Sequence, residues 1–152
     1  MNSDRLITIR NASVCDAEDI AELTAQLGYP ADAQAAGRRL ARIIGQRDQL
    51  VLVAILDNEI VAWIQAQASE ALESGFRVEI VGLVVSESCR RRGVGRSLVK
   101  RAEQWAAEIG AETLVVRSNT KRVESHRFYP ALGFSLAKTQ AVYRKGLGPT
   151  TV

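Results

Sequence analysis

Arg90-Arg91-Arg92-Gly93-Val94-Gly95-Arg96 is the stretch from which the rest of the chain can be read. An apolar, β-rich run from Val78 to Val85, broken by Glu79, leads into it, and a segment of helical period from Val94 to Ile109 leads out. A strand, a basic glycine turn and a helix N-terminus together form an anion site. The unpaired amides of the first helical turn and the helix dipole put positive potential at one spot. Glycine lets the backbone approach a phosphate with no Cβ in the way. Arginines add charge and forked donors suited to phosphate oxygens. A Walker A loop is excluded, because no Gly-Lys-Ser/Thr ends the glycine run. A dinucleotide fingerprint lacks its third glycine, since Leu98 stands there. A solvated basic turn that binds nothing stays open on this stretch alone.

With 152 residues the chain is long enough for one domain with a real core, and the expected organisation is a single domain over 1–152. No apolar run reaches the length that spans a bilayer, and the polar start Met1-Asn2-Ser3-Asp4-Arg5 has no signal-peptide pattern. Cys15 and Cys89 show no metal or redox spacing, so reduced thiols in a cytoplasmic protein are expected, with no metal site. The net charge is only +3, yet Arg90, Arg91, Arg92, Arg96, Lys100 and Arg101 fall within twelve positions. A local patch on a near-neutral chain suits a compact polyanion better than a nucleic acid track. Aromatic residues, at 5%, are too few for a row of base-stacking platforms.

Leu6 to Arg10 alternates and reads as a first strand. Ser13-x-x-Asp16 has capping-box spacing, with Ile20, Leu23 and Leu27 as the apolar stripe of the helix behind it. After Tyr29-Pro30 a second helix turns Leu40, Ile43 and Ile44 inward and Arg38, Arg39 and Arg42 to solvent, with Gly45 as its stop. Leu50–Leu56 and Ile60–Ala68 form a hairpin about Asp57-Asn58, residues 69–75 a loop, and Phe76–Val85 the strand that feeds the arginine turn. Val94, Leu98, Ala102, Trp105 and Ile109 share the inner face of the next helix. Thr113–Arg117 is a strand, and a short helix runs from about Lys121 to Tyr129, where Pro130 ends it. Gln140–Lys145 alternates as a last strand before a frayed tail from Gly146 to Val152. The expected fold is α/β of the α+β kind, a mixed, mostly antiparallel central sheet of about seven strands with helices on both faces.

This order of elements resembles the GNAT N-acetyltransferase superfamily over roughly residues 6–145. Two motifs carry the resemblance: the Arg90-x-x-Gly93-x-Gly95 turn, similar to that family's acyl-CoA pyrophosphate loop, and Phe128-Tyr129-Pro130-Ala131-Leu132-Gly133-Phe134, similar to its Phe-Tyr-x-x-Leu-Gly-Phe ending. The stretch Asn119, Arg122 and Ser125-His126 is similar to a subset of small-molecule members. The resemblance implies acetyl-CoA as cosubstrate. The strand before the loop parts from its neighbour near Leu114, and the pantetheine arm pairs with backbone at Leu83, Val84 and Val85. Amides of residues 91–96 hold the pyrophosphate, so Gly93, Val94, Gly95 and Arg96 belong to the site together with Ser97. Side chains of Arg90, Arg91 and Arg92 are candidates for further phosphate contacts. Asn119 bonds the cofactor arm and Phe128 packs beside it.

The implied reaction moves an acetyl group to a primary amine by direct attack. An alkyl amine of pKa about 10.4 is only roughly 0.04% neutral at pH 7, so a base is useful. Glu79, eleven positions before Arg90, is the candidate, acting directly or through water. Alternation places it with Val81, Leu83 and Val85, where partial desolvation favours proton uptake. The competing reading pairs Glu79 with Arg77 at the strand edge. Tyr129 is the candidate acid for the departing thiolate, the alternative being a core tyrosine. Gly82 stands where some small-molecule members carry a second carboxylate. Tyr29, Trp63, Glu70 and Glu73 are candidates to line an acceptor site built from the first two helices, the 69–75 loop and the third strand. The expected partner is a small-molecule amine, not nucleic acid or membrane, and a homodimer is compatible with it. The alternatives are an acyl-CoA-binding sensor or partner module without turnover, and a basic nucleic-acid-binding protein.

Overall fold

The alternating and apolar runs of the chain become five strands in the computed structural model, which describes residues 6–30 and 32–149. One compact unit ends at Arg117 and a second begins at Ser118. The first contains β1 (Thr8–Asn11), a 3-10 turn at Val14–Asp16, α1 (Ala17–Ala25), α2 (Ala33–Ile43), β2 (Gln49–Leu56), β3 (Glu59–Ala71), β4 (Gly75–Val85), a second 3-10 turn at Glu87–Cys89, α3 (Val94–Glu108) and β5 (Thr113–Val116). The second contains α4 (Val123–Ala131). The polar start, Met1–Arg5, lies outside the described residues, as does the end of the tail, 150–152.

Strands β1 to β5 lie in chain order across one sheet. The first four pair antiparallel, and β5 joins β4 in parallel through the crossover helix α3. Asp57 and Asn58, both at positive φ (51° and 64°), close the β2–β3 hairpin. Two such residues in succession give the turn whose twist matches the flanking strands. One sheet face meets α1 and α2, where Ala12, Ile20, Leu40 and Val53 form a buried cluster with Val51 and Trp63 against it. The other meets α3, whose Leu98, Val99, Ala102 and Ala106 are buried. Among the described residues, no helix is long and apolar enough to cross a membrane.

Several expectations are corrected. The sheet has five strands rather than about seven, and among the described residues Gln140–Lys145 forms no strand. Alternation supplies a strand's pattern, but a strand exists only where a ladder partner takes its backbone groups. Residues 69–75 are not a loop: β3 runs to Ala71 and β4 starts at Gly75, leaving Leu72, Glu73 and Ser74 as a tight tip. Ile44 ends α2 in extended conformation and is 40% exposed, so it does not face inward. Trp105 and Ile109 are half-buried rather than core. Helix α4 continues through Pro130 to Ala131, tolerated because the last turn has few bonds left to lose.

The entry to α1 is held by the one buried charged side chain of the described residues, Asp16. Its Oδ2 accepts from the Ser13 amide at 2.8 Å, and both oxygens accept from the Arg10 guanidinium, at 2.8 and 2.9 Å. Arg10 on β1 is thereby tied to the first helix. The Arg10 hydrogen bonds, aided by the Ser13 amide, hold the Asp16 carboxyl below its ordinary value against the opposing effect of burial. A depressed carboxyl contributes stability that is present above the ordinary range and is lost as pH falls through the folded value. Because Arg10 is 43% exposed, solvent screening discounts the pair. Asp16→Asn is expected to cost about 1–2 kcal/mol at pH 7 in urea unfolding. The gap between wild type and variant narrows as pH drops below about 4.

Candidate active site

Strands β4 and β5 pair only over Arg77–Ile80 and Thr113–Val116. Beyond Ile80 and Val116 the two separate, while β4 stays zipped to β3 as far as Val85. At the point of parting the β3–β4 register slips, because Gln65 faces Gly82 and Ala66 faces Ile80. Val81 is the extra residue of a bulge and is 40% exposed. Bulges bend a strand and increase its twist. Past this one, alternate backbone groups of Leu83, Val84 and Val85 face away from β3 with no ladder partner among the described residues.

The freed strand runs through Glu87–Cys89 into the arginine turn. Arg91 and Gly93 both have positive φ (65° and 79°), and Gly93 is the N-cap of α3. A Cβ built on Gly93 meets nothing within 4 Å, so the glycine serves the conformation and leaves its outer side open. Among the described residues the amides of 91–96 donate to no protein acceptor, whereas the Ser97 amide already donates to Gly93 O at 3.0 Å. The Ser97 hydroxyl donates to that carbonyl too, at 2.9 Å. Val94 and Gly95 are buried, while Arg90, Arg91, Arg92 and Arg96 are exposed. Orphan amides, a helix dipole and four guanidinium groups fit a diphosphate.

The bulge changes which face Glu79 occupies. It shares a face with Gly82 and Val84, and not with Leu83 and Val85 as simple alternation predicts, because one inserted residue reverses the parity of all that follow. Its cross-strand neighbours are Gln67 on β3 and Val115 on β5. The Glu79 side chain is 16% exposed, and its Oε1 lies 3.5 Å from Nη1 of Arg117, which replaces Arg77 as its ionic partner. A row of glutamines continues along the same face. Gln65 donates to Gln49 at 3.2 Å, and Gln49 donates to Gln67 at 3.4 Å.

Next to that row, α1, α2 and the sheet enclose a cavity of about 240 Å³. Trp63 and Gln65 form its floor, with Thr24, Asp32, Arg39 and Leu40 among its walls. Trp63 is the one acceptor-site candidate that lines it; Tyr29, Glu70 and Glu73 do not. The indole lies against Gly82: a Cβ there would meet Trp63 Cζ3 at 2.6 Å and Cη2 at 2.7 Å. A side chain at 82 and an indole at 63 therefore exclude each other. Arg39 is exposed, as the sequence reading has it, and also borders the cavity, as do Ala36 and Ile43 of the same helix. Its spacing from them, three and four residues, was the available signal. The glutamine row was likewise visible as Trp63-x-Gln65-x-Gln67, a period of two.

In the second unit, Asn119 closes a turn. Its Oδ1 accepts from the Lys121 amide at 3.0 Å and its carbonyl from the Arg122 amide at 2.9 Å, leaving its side-chain NH₂ available. His126 Nε2 is 2.9 Å from Thr120 O, a tie between helix and turn. Tyr129 meets Phe128 edge-on at 5.0 Å and Phe134 at 5.6 Å. Burial raises the Tyr129 hydroxyl above its ordinary value, with Arg122 pulling the other way, so it is a protonated donor at neutral pH.

The family described as Acetyltransferase (GNAT) family matches residues 17–134. An uncharacterized N-acetyltransferase of Bacillus subtilis (strain 168) is 29% identical over 93 residues, covering 60% of this chain and 66% of that protein. An aminoglycoside N(6')-acetyltransferase type 1 of Acinetobacter haemolyticus is 24% identical over 143 residues, 91% of this chain and 98% of the relative. A solved aminoglycoside N-acetyltransferase in complex with CoA superposes with a TM-score of 0.85 at 21% identity, over 95% of this chain and 98% of that one, which speaks for the fold.

Gly82→Ala is expected to displace the Trp63 indole. It should cost about 1–3 kcal/mol in urea unfolding and alter the near-ultraviolet circular dichroism, because a methyl is forced into occupied space. An unchanged spectrum and midpoint would count against the stacked geometry.

Proposed function

The chain belongs to the acetyltransferase (GNAT) family, and from that premise we propose that it is an N-acetyltransferase acting on the primary amine of a small molecule by direct attack in a ternary complex. Acetyl-CoA is the cosubstrate and supplies a thioester already activated for transfer. The observation that carries the reading is the pairing of two unmet backbone sets: the amides of 91–96, and the β4 edge from Leu83 to Val85 released by β5. The amides take the diphosphate oxygens, with Arg90, Arg91 and Arg92 adding charge. The edge at Leu83, Val84 and Val85 takes the amide groups of the cofactor arm as a further strand would.

Small-molecule acceptors are supported by the aminoglycoside relatives that span most of the chain. The cavity over Trp63 and Gln65 is the acceptor's place, because Glu79 follows Gln65 and Gly82 on the same sheet face. Glu79 takes the ammonium proton, directly or through one water, with Arg117 and Gln67 fixing its position. Alignment then does most of the work, since a neutral amine held beside a thioester needs little further activation. The nitrogen–carbon bond forms as the carbon–sulfur bond breaks, and the nitrogen sheds its second proton, which makes good the one given to the thiolate, so the net release is the single proton first taken by Glu79. The thiolate leaves with a pKa of about 8.5, and Tyr129, protonated at neutral pH, is assigned as the donor that completes the thiol. Asn119 and Phe128 keep the cofactor-arm roles that the family resemblance implies.

Gly93→Val forces a β-branched residue to positive φ, and acetyl-CoA binding, read as a thermal shift, is expected to be lost. Retained binding would remove the turn from the site. Glu79→Gln should lower kcat at pH 7 by about 10²-fold or more in a thiol-release assay, and Tyr129→Phe by about 10²-fold. Saturable acetyl-CoA binding without CoA release across an amine panel would favour a sensor module instead. Salt-sensitive DNA or RNA binding with no acetyl-CoA shift would favour a nucleic-acid protein.

A further inference from the structure

The cavity has its own charge pattern, and it differs from what a polycation needs. Its lining holds one carboxylate, Asp32, and one guanidinium, Arg39. One oxygen of the carboxylate is engaged: Asp32 Oδ1 accepts from the Ala35 amide at 2.9 Å as the N-cap of α2. The guanidinium has no partner among the described residues. Trp63 on the floor carries a second donor without a partner: its Nε1–H is buried and makes no hydrogen bond among the described residues. A buried donor left unpaired costs free energy, and a ligand oxygen that reaches it recovers that cost. Between these polar points the walls are apolar, from Ile20, Ala21, Ala36, Leu40, Ile43 and Val51. Thr24 contributes no spare proton, since its hydroxyl donates to Ile20 O at 2.8 Å. The lining thus holds two donors without a partner, on Arg39 and Trp63, and one acceptor, Gln65 Oε1, on the sheet face that Glu79 shares.

We propose that the cavity selects an amine whose apolar body carries a carboxylate at its far end, received by Arg39 and Trp63 Nε1–H, and discriminates against polycations. This rests on the transferase reading, since it names the acceptor for that same site. A polyamine or aminoglycoside would meet one capped carboxylate and a repelling guanidinium, and would leave the indole donor unpaired.

Three amines of matched chain length separate the charge at the far end: 6-aminohexanoate, hexylamine and 1,6-diaminohexane, with kanamycin as the polycation. At saturating acetyl-CoA, kcat/KM should fall in the order 6-aminohexanoate, hexylamine, 1,6-diaminohexane. The first should exceed the third by about tenfold or more, and kanamycin should lie at the bottom, as expected for a charged hydrogen-bonded pair gained or lost. Arg39→Glu should invert the order of the two charged-end amines, a result that simple loosening of α2 would not give. Trp63→Phe, which keeps the ring and removes the donor, should narrow the preference for 6-aminohexanoate over hexylamine. A wild-type preference for 1,6-diaminohexane or kanamycin, or an order unmoved by Arg39→Glu, overturns the proposal and leaves the transferase reading intact. Acetyl-CoA binding without CoA release for any of the four amines overturns the transferase reading and this inference with it.

Discussion

From Leu83 to Val85, strand β4 is held by β3 alone. A sheet strand normally spends its backbone groups on two neighbours, and a buried group with no partner is costly. Here the parallel ladder to β5 stops after Ile80 and Val116, so one side of the strand has no ladder partner among the described residues. Everything else at the site follows from that parting. It carries β4 out of the sheet and into the arginine turn, and it sets the N-terminus of α3 at the end of the opened edge. The bulge at Val81 supplies the bend at the same point. One irregularity thus bends the strand at the point where its edge opens and decides which later side chains share the face of Glu79.

The coarse architecture was legible because it rests on signals that tertiary context seldom overrides. The arginine turn between an apolar strand and a helix, the Asp57-Asn58 hairpin and the Ser13–Asp16 capping spacing all act within a few residues of themselves. The face of Glu79 was not legible. Alternation counts residues by twos, and a bulge is a defect in that count that depends on the partner strand rather than on local composition. The last strand failed for a related reason: Gln140–Lys145 has the pattern, but a ladder needs a second chain segment, which no local pattern specifies. Of the residues proposed to line an acceptor site, Trp63 lines the cavity and Glu70 and Glu73 do not, because the supposed loop that held them is a continuation of the hairpin.

The environment of Glu79 shows how position and partner together set a role. The sequence suggested either an apolar setting or an ion pair with Arg77, and the structure gives it a different cation and a glutamine neighbour. Arg117 is mostly exposed and the carboxylate mostly buried, so the pair is anchored at one end only. The glutamines of β2 and β3 bridge one another across the sheet and keep that face polar where the opposite face, with Ile64, Ala66 and Val78, is dry. The face under α1 and α2 thus combines a buried apolar cluster with this polar row, whereas the face under α3 is apolar at these positions.

The contact between the Trp63 indole and Gly82 has an optical consequence. The chain holds two tryptophans, and Trp105 lies on α3, away from the cavity lining. Trp63 is thus an intrinsic fluorophore seated in the cavity floor, with Trp105 as an internal reference. Quenching or a wavelength shift of the first against the second gives a label-free view of cavity occupancy.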